Sequence, residues 1–523
     1  MRIGLIPLDE RPVNTRYPLM IAGIAGINLV LPPRELLSSY RTPAPCDELA
    51  AWLRGIAGGL DGLIVSCEML GYGGLIASRI TDESSGLVMR RLDLLRDLKR
   101  DHPERTIYGF NLITRVSNAD SAIEEPRYWA HAGTRMYRLS QLLDRAAQDE
   151  PIAAELESLR AELDPADVDD FLRRRARNHA VNLAVLHMLA EDAFDLLVLS
   201  SDDTNPYGLP SAEKRWLTHW ADLLGLSDRS IADTSKSDIG YPVRTNPKCL
   251  MYPGADEVGC ALLARMINRR AGRVPRFEIA YAIPGGEEIV APYEDGPVRV
   301  TVERQIRAVG GEFVERDGDF WLAVNPPVPR RSEWHPAHAA QERAERLPYL
   351  ESFVDQIGAR MDAGQRVIVA DVAYPNGSDP VLIDLLRERI DLTRLVAYGA
   401  WNTAGNTIGT ALAQGCAALD IRTEAQQRAQ TRCLLHRFVE DWGYQQGVRA
   451  ETRDWLQSRT EQHDPTPANL AATQVWIECR LQERVEQLPG FAGRYRIVPG
   501  SVHLPWQRTF EVDFELERME GGA

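Results

Sequence analysis

The chain has 523 residues, too many for one ordinary core, which predicts two to four domains or one large barrel with additions. It carries 60 Lys and Arg against 75 Asp and Glu, a net charge of −15, and has no basic block, which argues against nucleic acid as a partner. No stretch reaches the roughly 20 consecutive apolar residues that a membrane span needs.

The first element is the strand "RIGLIPLD". Its apolar run is short, contains Pro7 and is followed at once by acids, so it does not read as a secretory signal. "INLVLPP" is a second strand, and a helix follows around Cys46 to Gly58. The strands "DGLIVSCEML" and "RTIYGFNLITR" flank the helical "SGLVMRRLDLLRDLKRDHP". A long charged helical region, about 121–191, ends in "RNHAVNLAVLHMLAEDAF", whose apolar residues recur at helical spacing. The strand "DLLVLSSDD" comes next, then strands at "KCLMYPGAD", "RFEIAYAIPGG", "RVIVADVAYPNG" and "RLVAYGAWNTAG". Near-continuous apolar strands alternating with helices are the pattern of a buried parallel sheet. Between about 273 and 329, "VRVTVERQIRAVGGEFVERDGDFWLAVNPP" predicts a helix and a hairpin within a smaller α/β unit. The tail predicts long helices over about 407–487 and then the strand-like "RYRIVPGSVHLPWQRTFEVDFEL". Seven scattered cysteines without a Cys-x-x-Cys pair fit reduced thiols in a cytoplasm.

Polar, acidic or Gly-rich clusters follow the strands directly: "PLDERPVN", "EMLGYGGLIASR", "NLITRVSNAD", "SSDDTNPYG", "YPGADEVG", "DVAYPNGSDP" and "GAWNTAGNT". Parallel α/β folds build their sites at the carboxyl ends of strands, so these clusters predict one composite pocket. The plainer reading is that loops are polar anyway.

Asp202 and Asp203 stand side by side after an apolar strand. Two close carboxylates push their titrations apart, which leaves one able to donate a proton and the other ionised, the division of labour in glycoside cleavage. The alternative is that one of them caps the following helix, with Asn205-Pro206 as a turn. Trp401 offers a face to a sugar, and Asn402 and Asn406 can donate to and accept from hydroxyls; a core Trp with turn asparagines explains the same stretch. Asp9, Glu10, Arg11 and Asn14 end the first strand, either as an ion pair or as readers of hydroxyls. Gly73 and Gly74 allow close approach of backbone to a ligand, with Tyr72 and Arg79 beside them, or simply make a turn. Asn111 and Tyr252 lie near further strand ends. Asp256 and Glu257 suit the start of a helix. Asp371, Asn376 and Asp379 fit a turn. Asp202, Asp203, Asp256, Asp371 and Asp379 could hold Mg²⁺, Mn²⁺ or Ca²⁺ through oxygen, but no zinc spacing, Gly-x-Ser-x-Gly elbow or phosphate loop is present.

Over most of its length the chain resembles a bacterial family known mainly as a domain of unknown function, through "PLDERPVN", "YGGLIASR", "SSDDTNPYG", "YPGADEVG" and "GAWNTAGNT". More remotely, the order of its strand-end motifs resembles the catalytic barrel of glycoside hydrolase family 84, the O-GlcNAcase-type β-N-acetylglucosaminidases. That resemblance implies that Asp202 orients the substrate's 2-acetamido group, whose oxygen attacks the anomeric carbon, and that Asp203 is general acid and then base. It implies that Tyr252 and Asn402 line the acetamido pocket. The chain departs from the family at Asn406 and Thr407, where an Asp is expected, and in offering Arg79 without a matching Lys.

The expectation is an α/β protein: a (β/α)8-like barrel over 1–270 and 331–415, an inserted α/β unit at 271–330, and a helical C-terminal region at 416–523. It is expected to be a cytoplasmic retaining β-N-acetylhexosaminidase without metal or cofactor. Asp202 and Asp203 are the catalytic pair; Asp9, Arg11, Tyr72, Gly73, Arg79, Asn111, Tyr252, Trp401, Asn402 and Asn406 bind substrate. The partner is a small carbohydrate, not nucleic acid or membrane, and a homo-oligomer is compatible with the sequence. A metal-dependent hydrolase or lyase using the same aspartates, and a carbohydrate-binding protein without turnover, are the alternatives.

Overall fold

The computed structural model describes residues 1–227 and 248–519. The chain is a mixed α/β protein that divides into two compact units, one of residues 1–10, 28–262 and 293–295, the other of 11–27, 263–292 and 296–523.

The first unit is built on six strands, β1 (Arg2–Ile6), β2 (Asn28–Val30), β3 (Gly62–Ser66), β4 (Thr106–Ile113), β5 (Leu196–Ser201) and β6 (Cys249–Pro253). They pair in parallel in the order β2-β1-β3-β4-β5-β6. The "GLIVS" of β3 and the "LLVLSS" of β5 are buried throughout, so both faces of the sheet are covered. Leu63, Val65, Leu197 and Leu199 point into one core, which also takes Leu49 and Leu53 from the helix Cys46–Ala57 and Val181 and Val185 from the helix Pro165–Ala190. The alternate residues Ile64 and Val198 are equally buried.

The second unit has β7 (Arg276–Tyr281), β8 (Glu312–Phe313), β9 (Phe320–Asn325), β10 (Arg366–Asp371) and β11 (Ala397–Gly399), again all parallel, in the order β11-β10-β9-β7-β8. Counted from its own first strand, each sheet has its second strand on one side and the later strands on the other. Doubly wound sheets reverse in this way, and their ligands bind outside the carboxyl ends of the strands near the reversal. Phe353, Val354 and Ile357 of the helix Ala339–Asp362 share one core with Trp321, Val367 and Val369, and with Ile477 and Leu481 of the tail. The helix Glu424–Arg437 continues into a π-helical stretch, Phe438–Val448, and then the helix Arg449–Thr460. The short strands β12 (Tyr495–Ile497) and β13 (Leu516–Arg518) pair antiparallel.

Three expectations change. Among the described residues β2 and β6, and β8 and β11, remain sheet edges, so the strands form two open sheets where a (β/α)8-like barrel was expected. Barrels and doubly wound sheets share the same local βα alternation, and only long-range pairing separates them. Residues 271–330 are not a separate insert, since they supply β7, β8 and β9, and β9 pairs with β10 of the segment 331–415. The expected hairpin is absent because β7 lies between β8 and β9. No helix among the described residues is long and apolar enough to cross a membrane.

Candidate functional site

The carboxyl ends of β4 and β5 bring together two arginines and four carboxylates. Arg79, on the helix Leu75–Ile80, pairs with Asp202 through Nη2 and with Glu124 through Nη1, at 3.0 Å. Arg115, just past β4, donates to Asp203 at 2.7 Å and to Glu124 at 2.8 Å. Glu125 lies 3.8 Å from Arg79 and 3.9 Å from Arg115. Asp202 extends the ladder, its N–H donating to the Ile113 carbonyl at 3.1 Å. Asp203 then turns into the left-handed region, with φ of 40°. An Asp there is uncommon, and such backbone strain gathers at functional sites. Neither aspartate caps the following helix, Leu209–Leu223, whose N-cap is Gly208.

Burial pushes Glu125 up to about 7, although both guanidiniums favour its charged form. Burial also raises Asp203; Arg115 opposes the shift and the neighbouring Asp202 adds to it. The Asp203 side chain keeps 26% of its surface exposed against 11% for Asp202, so Asp203 is the member of the pair that solvent or a ligand reaches. Beneath the cluster, Arg175 donates to the Thr114 hydroxyl at 2.8 Å and Asn178 to the Ser78 carbonyl at 3.1 Å, fixing the strand end and the Arg79 helix. The space left between Arg79, Thr114, Arg115 and Glu125 is a cavity of about 30 Å³, room for a water molecule and not for a sugar ring.

Several expected binding residues turn inward. Asn111 donates to Glu68 at 2.6 Å and accepts from Asn182 at 2.6 Å, and Glu68, which also accepts from the Leu112 N–H at 2.7 Å, is pushed by burial to about 7. Tyr72 is buried under the Arg177 guanidinium, 5.0 Å from its ring centroid. Gly73 ends its helix at φ 88°, where a Cβ would come 2.8 Å from the Ala44 nitrogen, so this glycine serves a turn and a close chain crossing. Asp9 and Tyr252 are fully buried.

The remaining candidates belong to the second unit, so the residues expected in one pocket divide between two. Arg11 pairs with Glu511 at 3.0 Å. Trp401 is 1% exposed and presents no face to a ligand; the half-buried Phe510 lies 6.2 Å away. The Asn402 carbonyl accepts from the Asn376 N–H, and Asn406 is buried in the first turn of the helix Ala404–Ala417 behind its Thr403 cap. At the ends of β9 and β10, Asn325 donates to Asp371 at 2.8 Å and to Asp379 at 3.1 Å, while Arg346 pairs with Asp379 at 3.0 Å. Asp379 also caps the helix Pro380–Arg389. Burial, then Asp379, pushes Asp371 up to about 7. No group of three metal-ligating side chains occurs among the described residues.

Sequence reasoning did not single out Arg115, Glu124, Glu125, Asn325 or Arg346. Arg115 closes a recognised strand, and its position was the signal; the paired acids before Pro126 sit in a loop without periodicity.

The molecule is thus an α/β protein of two doubly wound parallel sheets, the first ending in a partly buried carboxylate–arginine cluster. It belongs to the family described as protein of unknown function (DUF4127), whose model matches residues 3–515. No curated protein and no solved structure matches. The likeness to glycoside hydrolase family 84 therefore stands on the order of short motifs.

Proposed function

We propose that the chain is a retaining glycoside hydrolase acting on β-linked N-acetylhexosaminides through Asp202 and Asp203. The observation that carries this reading is the unequal environment of two adjacent carboxyls. Asp203 is raised and partly open, as a proton donor requires, while Arg79 holds Asp202 in place. In the first step the substrate's acetamido oxygen, oriented by Asp202, attacks the anomeric carbon. Asp203 gives its proton to the leaving oxygen, and an oxazolinium forms. Water, losing a proton to Asp203, then opens that ring with net retention. The substrate reaches Asp203 from its exposed side, since the cavity beneath is too small. A small carbohydrate in the cytoplasm, without metal or nucleic acid, belongs to the same proposal.

A second reading, a carbohydrate-binding protein without turnover, is favoured by the arginines that already occupy both carboxylates. Hydrolysis of aryl β-N-acetylglucosaminide and β-N-acetylgalactosaminide by wild type, Asp202→Asn and Asp203→Asn, with and without EDTA, separates the possibilities. Turnover that survives chelator and falls at least about a hundredfold in Asp203→Asn is expected. Turnover abolished by EDTA points to a metal-dependent hydrolase or lyase, and no turnover on either glycoside overturns the assignment.

A further inference from the structure

The second sheet reverses at β7, and doubly wound folds take ligands beyond the carboxyl ends of the strands near such a reversal. Just past the end of β7 lies a cavity of about 490 Å³, within the range of small-molecule sites. One wall is the segment leaving β7, through Tyr281, Pro284 and Glu287. The other is the helix Ala339–Asp362, through Tyr349, Ser352 and Gln356, whose spacing puts them on one side of the helix. One turn further, Arg360 pairs with Glu278 inside β7 at 3.4 Å. The helix therefore runs antiparallel to the strand, and its earlier turns pass the strand end and rim the cavity.

The polar groups of this lining are left without protein partners. Among the described residues, the hydroxyls of Tyr281, Tyr349 and Ser352 make no hydrogen bond, and Glu287 makes no ion pair. Gln356 reaches only the Ser352 carbonyl, at 3.3 Å. Tyr349 is 47% exposed. The surrounding charge is negative. Glu287 and Glu288 sit on the short turn after β7, and Glu303 on the helix Val298–Ala308. Arg299 opposes them but is already paired with Glu288 at 2.7 Å. Burial holds the Tyr281 phenol above its ordinary range, and Glu303 and Glu287 add to the shift against Arg299. A neutral or acidic ligand would meet the Glu287 carboxylate without neutralising it.

We propose that this cavity binds a small organic amine, its ammonium group beside Glu287 and over the rings of Tyr281 and Tyr349, with Ser352 and Gln356 meeting polar groups on the rest of the ligand. An ammonium is attracted both to a carboxylate and to the face of a phenol ring. The inference concerns the second unit and is independent of the reading of Asp202 and Asp203 in the first.

Calorimetric titration of the full chain with phenethylamine and with glucosamine, each against its neutral counterpart, 2-phenylethanol or glucose, at constant ionic strength, tests it. Saturable binding of at least one amine is expected, about tenfold or more tighter than that of its counterpart. It should weaken about tenfold or more in Glu287→Gln and in Tyr349→Ala, both at least partly exposed side chains. It should be unchanged in Glu345→Gln, on the same helix but outside the cavity, where it accepts from Gln341. Binding of phenethylamine alone identifies an arylalkylamine, and of glucosamine alone an amino sugar. Absence of saturable binding by either amine, equal binding of the neutral counterpart, or binding that survives Glu287→Gln overturns the proposal.

Discussion

Replacing Glu125 by Gln should stabilise the protein above neutral pH and leave it unchanged in acid. Burial raises this carboxyl from 4.5 to about 7 in the folded chain. Between those values the native state holds a proton that the unfolded chain has released, so stability falls as pH rises, by about 1.4 kcal/mol per pH unit. Over the interval the loss is about 3 kcal/mol, complete by about pH 8. Glutamine is neutral in both states and escapes it. At pH 4 the protonated acid and the amide are close to equivalent, and the two proteins should unfold alike. Urea unfolding of both proteins across pH 4 to 8.5 measures the gap directly. A gap independent of pH refutes the reasoning. A variant less stable than wild type at pH 8 would mean that Arg79 and Arg115 outweigh burial and that the shift has the opposite sign.

Two further predictions concern stability. Gly73→Ala places a Cβ at φ 88° and 2.8 Å from the Ala44 nitrogen, and should cost at least about 1–2 kcal/mol in urea unfolding. Arg346→Met leaves Asp379 beside Asp371 without its guanidinium and should cost about 3–5 kcal/mol by the same measurement.

The strands were legible because burial on both faces writes a continuous apolar run, as in β3 and β5. Strand order was not, since it depends on which distant segments pair, and the reversals at β1 and β7 leave no local mark. The two residues of β8, Glu312 and Phe313, are both exposed, so nothing in their pattern assigns them to an edge. At the site, Asp202, Asp203 and Arg79 stood out in polar clusters that follow strands, and Asp202 and Arg79 do pair. Trp401 misled because sequence does not separate an aromatic that offers its face from one that fills a core. Glu124 and Glu125 come close to Arg79 only through the fold, 45 residues after it in the case of Glu124.

The helix Pro12–Ala25 precedes nearly all of the first unit in the chain, yet it belongs to the second unit and packs on the helices Ala404–Ala417 and Glu424–Arg437. Its partners emerge roughly 400 residues later, about 20–80 s at ordinary rates of translation. For that interval Val13, Tyr17, Ile21 and Ile24, all buried at the end, have no native surface to cover them. A ribosome stalled after residue 25 and before residue 404 holds this apolar stripe without the two helices that cover it in the native fold.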